Sequence, residues 1–83
     1  MTLNELITYI DEGREIEFCL EKTEFFLAPV YSGEIFTGKY CIYNNTSREC
    51  AITGDITEII SFEFEGEVSF KNNMDKFEFK FIL

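Results

Sequence analysis

The sequence predicts an α+β fold: one N-terminal helix packed on an antiparallel sheet of about six strands, paired as three hairpins, with a short helical turn near residues 55–60. Three observations lead there. Apolar residues recur at helical spacing only near the start of the chain, and from Arg14 onward they alternate with polar ones. Clusters of Gly, Asn, Ser and Thr interrupt the alternation where hairpins need turns. The 10 Phe and 4 Tyr among 83 residues supply an aromatic core large enough for so short a chain. Residues 1–83 have room for a single small domain, and no repeat, low-complexity stretch or linker divides them. The alternative arrangement of the same elements is a small β-barrel with the helix as a plug.

Thr2 stands three residues before Glu5, the spacing of a capping box, and Leu3, Leu6, Ile7 and Ile10 follow at helical intervals up to Gly13, a natural stop. From Arg14 the period is two, with Ile16, Phe18 and Leu20 on one face and Glu15, Glu17, Cys19 and Glu21 on the other. Lys22 and Thr23 form the hairpin tip. Phe25, Leu27 and Tyr31 then continue the core face, while Phe26, Ala28 and Val30 make the opposite face unusually apolar. Pro29 marks an edge or a bulge, and Ser32 to Gly38 reads as a connection.

Lys39 to Tyr43 and Arg48 to Thr53 form the second hairpin around the NNTS turn. Two registers are open. A turn symmetric about Asn45 and Thr46 sets Cys41 opposite Cys50, and a three-residue loop instead aligns Tyr40 and Ile42 with Ile52 and Cys50. Gly54 and Asp55, with Glu58 three residues on, cap the short helical turn. From Ser61 the alternation is clearest: Phe62, Phe64, Val68 and Phe70 share one face, and Glu63, Glu65 and Glu67 the other, with Gly66 at a bulge or close approach. The last segment places Phe77, Phe79, Phe81 and Leu83 together, and pairing Lys71 with Lys76 brings Phe70 to Phe77, Val68 to Phe79 and Glu67 to Lys80.

Charge narrows the function. The 16 Asp and Glu against 7 Lys and Arg give a net charge of −9, which opposes direct binding to nucleic acid or to an anionic membrane and favours a basic partner. With no histidine, Ser-His and Cys-His nucleophilic sites and His-ligated zinc are excluded, so no catalytic residues, metal site or cofactor are expected. Cys19, Cys41 and Cys50 are an odd set without CxxC spacing and read as reduced, mostly buried thiols; a Cys41–Cys50 disulfide would need facing residues and an oxidising compartment. The opening residues lack the basic start and cleavage site of a signal peptide, and no apolar run is long enough to span a bilayer, so a cytoplasmic protein is expected.

The acidic residues gather in two stretches: Glu15, Glu17, Glu21 and Glu24 in the first hairpin, and Asp55, Glu58, Glu63, Glu65 and Glu67 later. Carboxylates at alternate strand positions recur about every 6.6 to 6.8 Å, of the order of the phosphate spacing along one nucleic-acid strand. Such rows imitate a phosphodiester backbone, or they are only the wet face of a sheet kept charged against edge pairing. A further candidate surface is apolar, formed by Phe26, Val30, Ile35 and Phe36 unless these lie beneath the neighbouring loop.

The opening TLNELITYIDEGREIEF, a short helix ending in Gly that leads into a GREIEF-like strand, resembles the start of many small uncharacterised proteins of low-GC Gram-positive bacteria and their phages. The likeness covers about the first fifth of the chain and implies no active residues. In size and acidity the whole chain is similar to phage-encoded inhibitors of host defence, among them anti-CRISPR proteins and DNA-mimicking uracil-DNA glycosylase inhibitors. That likeness implies a non-enzymatic inhibitor in the bacterial host cytoplasm which covers the nucleic-acid-binding surface of a basic protein or nuclease; Lys76, Glu78 and Lys80, which keep one face of the last strand wet, favour a monomer, with a weak homodimer through the strand edge as the alternative. The alternative is a small structural or regulatory module that associates through an apolar sheet face.

Overall fold

The computed structural model describes residues 1–83. In chain order the elements are α1 (Leu3–Asp11), β1 (Ile16–Leu20), β2 (Thr23–Ser32), β3 (Ile35–Asn44), β4 (Glu49–Thr53), α2 (Ile56–Ser61), α3 (Phe70–Asn73), a 3₁₀ turn (Met74–Lys76) and β5 (Phe77–Ile82). The fold class is α+β, with an open, wholly antiparallel five-stranded sheet of order β4-β3-β2-β1-β5 in place of about six strands or a barrel.

Helix α1 forms where the sequence places it because both its ends are chemically closed. The Thr2 hydroxyl accepts from the Glu5 N–H at 3.1 Å, and a Glu5 carboxylate oxygen accepts from the Thr2 N–H at 2.9 Å, the two halves of a capping box. The Thr2 backbone N–H, then its hydroxyl, holds the Glu5 carboxyl below the usual carboxylate range. At the other end Gly13 sits at φ +77, its N–H donates to Ile10 O and the Arg14 N–H to Tyr9 O, which is a Schellman closure. The Arg14 guanidinium lies over the Tyr9 ring.

Strands β1 to β4 are a continuous meander, so the three separate hairpins of the sequence reading are replaced by four successive strands and a returning one. The cause is Ser32 to Gly38. Gly33, at φ +64, makes a two-residue turn with Glu34 that joins Ser32 to Ile35, extending β2 and β3 to ten residues each. The irregularity foreseen near Pro29 is present: the β2–β3 register shifts between Pro29 and Tyr31.

Neither foreseen register of the β3–β4 hairpin holds. Asn44 Oδ1 accepts from the N–H groups of both Thr46 and Ser47, and Arg48 takes φ +62, which closes a four-residue loop and pairs Asn44 with Glu49. Cys41 therefore faces Ile52 and Cys50 faces Tyr43. The two cysteines are nevertheless joined diagonally by a disulfide, with Cα atoms 5.9 Å apart, which corrects the reading of three reduced thiols; Cys19 alone is free, and it is buried. Such a bridge persists in oxidising surroundings, so the cytoplasmic expectation requires both thiols to be reduced there. No helix is long and apolar enough to cross a membrane.

The largest departure is the C-terminal third. Phe62 to Phe70 is not a strand: Gly66 (φ +81) and Glu67 (φ +60) reverse the chain so that only Phe64 and Val68 bridge, and Ser69 then caps α3 by accepting from the Asn72 N–H. The pairings of Phe70 with Phe77 and Glu67 with Lys80 across a hairpin do not form, because β5 pairs with β1 instead. The register of that pair also slips at Lys80, so Phe77, Phe79 and Ile82 oppose the core residues Leu20, Phe18 and Ile16, whereas Phe81 opposes Glu17 on the other face.

All three helices cover the same side of the sheet. Leu6 and Ile10 of α1, Ile59 of α2 and Phe70 of α3 join Ile16, Phe18, Leu27 and Ile42 in one buried cluster. Phe18 is its hub, with ring centroids of Phe25, Phe64, Phe70 and Phe77 between 5.2 and 5.8 Å away. The opposite side of the sheet has no covering layer.

Candidate binding groove

A groove of about 800 Å³ opens on the helix side of the sheet, at the end where no helix lies over β2, β3 and β4. Its floor is made by Phe25, Ile42 and Ala51 on one face of those strands: the register sets Ile42 directly opposite Ala51, and Phe25, which pairs with Asn44, lies diagonally from Ile42 on the same face. The turn from Phe62 to Val68 forms the facing wall, with Phe62, Phe64 and Val68 turned inward. Phe62 and Phe64 rings meet edge to face at 4.8 Å, and Phe64 meets Phe25 at 5.1 Å, so wall and floor are one aromatic surface.

Carboxylates stand around this apolar floor. Glu21 comes from the β1–β2 turn, at φ +55, Glu49 from the start of β4, and Glu63 and Glu65 from the wall; Lys76 is the one cationic side chain lining the groove. Four acids from three separate parts of the chain thus share one opening. Each is exposed, and no salt bridge joins any of them to a base.

The other sequence-predicted positions lie elsewhere. Glu17 and Glu24 belong to the uncovered side of the sheet, since they pair with Phe26 and Cys19 there, and the exposed Glu15 precedes β1, its backbone carbonyl accepting from the Leu83 N–H. Asp55 and Glu58 work locally: Asp55 accepts from the Glu58 N–H at 2.9 Å, and Glu58 accepts from the Gly54 N–H at 2.6 Å, closing the first turn of α2. Asp55 also borders a smaller hollow of about 290 Å³ with Phe36 and Tyr40. Burial, then the charges of Asp11 and Tyr31, pushes the Tyr40 phenol above its usual range. Glu67 sits in the reversal and does not line the groove.

Two corrections follow for the phosphate-like rows. Glu63, Glu65 and Glu67 are not at alternate positions of a strand, so their strand-like spacing is lost. Glu49, by contrast, went unmarked in the sequence because it is one acid between Arg48 and Cys50 with no neighbouring Asp or Glu, and only the β3–β4 register carries it to the groove. No three Cys, Asp or Glu side chains converge as a metal-binding group.

The uncovered side of the sheet carries Phe26, Ala28, Cys41, Tyr43, Cys50 and Ile52 in addition to its glutamates. Phe81, 60% exposed, extends this apolar area towards the β5 edge, and Ile52, 56% exposed, towards the β4 edge. The apolar patch foreseen at Phe26, Val30, Ile35 and Phe36 divides: Phe26 and Val30 are half-buried, while Ile35 and Phe36 are exposed at the far end of the β2–β3 arm. Compared with protein-family models, with curated proteins and with solved structures, the chain matches none.

Proposed function

We propose that this chain is an acidic binding protein without catalytic activity, whose partner is a basic protein. The observation that supports it most is the groove, where four unpaired carboxylates and one lysine surround an aromatic floor. Together with the net charge of −9, this favours approach of a cationic surface at long range and opposes that of an anionic one. A phage-type inhibitor of the anti-CRISPR or DNA-mimic kind, which occupies the nucleic-acid-binding surface of a host protein or nuclease in the bacterial cytoplasm, is the biological setting that suits such a charge. The mimicry rests on overall charge rather than on a row of strand glutamates.

A second reading has its own support. The uncovered sheet side, with Phe81 and Ile52 exposed, suits a small structural or regulatory module that associates through an apolar face.

Capture from a lysate of a low-GC Gram-positive bacterium, eluted first with salt and then in a repeat with duplex DNA, separates them. A basic partner released by both eluents supports the inhibitor. A partner that resists salt supports the apolar face, and release by salt but not by DNA removes the nucleic-acid surface from the proposal.

A further inference from the structure

We propose that the groove takes a protruding cationic and amphipathic segment of the partner, an apolar side chain seated between the Phe25 and Ala51 floor and the Phe62 wall with Lys or Arg flanking it at the rim. This rests on the reading of an acidic binder and specifies what it binds. The acids Glu21, Glu49, Glu63 and Glu65 surround a hollow, so at this groove the partner supplies the convex element. Charge complementarity selects its polar part, since one Lys76 leaves the rim strongly negative. The apolar lining selects its apolar part: Phe25 and Ala51 of the floor and Phe62 of the wall are only half-buried, and burying the remainder of that surface is favourable where an isolated cation would leave it wet. A bare metal ion has no converging set of ligands here. A second copy of the chain would set one acidic rim against another −9 chain.

The test uses the full chain, labelled with ¹⁵N, and three synthetic ten-residue probes: an alternating Lys/Leu peptide, oligolysine and an alternating Glu/Leu peptide. The Lys/Leu peptide is expected to shift the amides of Phe25, Ala51, Phe62 and Glu65, and to bind at least about ten-fold more tightly than oligolysine, with no binding of Glu/Leu. Glu63→Lys with Glu65→Lys, both exposed and outside the core, should weaken the Lys/Leu peptide by about ten-fold or more while leaving thermal unfolding in place. Shifts confined to Phe26, Tyr43, Ile52 and Phe81 would move the site to the uncovered face and overturn this inference while leaving an acidic binder standing. Equal binding of oligolysine would overturn it in the same way, because the floor would then contribute nothing. Failure of every cationic probe to bind at any ionic strength would overturn the inference and the acidic-binder reading together.

Discussion

Ile16 to Leu20 and Phe62 to Phe70 carry the same kind of pattern, large apolar residues at alternate positions (Gly66 excepted) with Glu, Cys or Ser between, and they fold differently. The first is a central strand, hydrogen-bonded on both sides by β2 and β5. The second is a reversed turn followed by a short helix. Alternation picks out most of the side chains that go inward in both stretches: Ile16, Phe18 and Leu20 are buried, and so are Phe64, Val68 and Phe70, although Cys19 and Ser69 between them are buried too and Phe62 is only half-buried. It does not fix the backbone, because a partner strand must be available and the φ preferences must permit extension. Gly66 supplies the left-handed turn, and β5 is already committed to β1.

The largest effect should come from truncating the hubs of these two stretches. Phe18→Ala and Phe70→Ala each remove a ring that is at most 1% exposed, and each should cost about 3–5 kcal/mol. Against a total of about 5–15 kcal/mol for a typical domain, either variant should be largely unfolded or sharply destabilised in urea titrations followed by circular dichroism. Similar losses support one shared core. A Phe70 variant close to wild type would mean that the turn region packs only loosely on the sheet, and the comparison would fail.

What was legible in the sequence divides along the same line. Contacts within a few residues were readable, because capping and turn chemistry are local: Thr2 with Glu5, Gly13 as a stop and Asp55 with Glu58 all appear as the spacing indicates. Pairing between distant segments was not. Nothing near Phe77 says that β5 returns to β1 rather than to its neighbour, and the slip at Lys80 that turns Phe81 outward depends on that partner. The groove was half legible for the same reason. Glu21, Glu63 and Glu65 stood out as acidic runs, but their meeting with Glu49 depends on the sheet order and on a four-residue loop that Asn44 closes with its own side chain.

A middle-sized effect distinguishes turn from strand directly. Gly66 has φ +81, and a Cβ there would meet only Val68 Cγ2 at 3.9 Å, so space is ample and the cost of Gly66→Ala is that of the left-handed backbone, about 1–2 kcal/mol. In an extended strand the same change would be neutral or stabilising, because glycine weakens strands. Thermal melts of the two proteins decide the sign.

Ser69→Ala should cost about 1 kcal/mol, since its hydroxyl accepts from the Asn72 N–H at 3.3 Å and starts α3. Were residue 69 part of a strand, the alternation would put it on the wet face with the glutamates, and loss of its hydroxyl would leave stability nearly unchanged. Chemical denaturation of the variant reads that difference, and hydrogen exchange at Asn72 and Asn73 should quicken as the cap is lost.

The smallest effect, a few tenths of a kcal/mol, is expected from changing Glu63, Glu65 and Glu67 together to Gln. All three side chains are exposed, none has a salt bridge, and the neighbouring Phe64 and Val68 side chains keep their packing. Removing three like charges relieves self-repulsion in a chain of net charge −9, so the change in stability should be slightly favourable at low salt and vanish as salt screens it. Binding should respond in the opposite direction, because Glu63 and Glu65 stand at the groove, and affinity for a cationic probe should fall most at low ionic strength. Glu67→Gln alone then becomes the internal control: it removes the same charge from the same turn without lining the groove, and it should leave probe affinity nearly unchanged. If Glu67→Gln weakens the probe as much as Glu65→Gln does, the binding follows net charge rather than the groove. In that case the difference between the two alternating stretches is one of folding only, with no consequence for recognition.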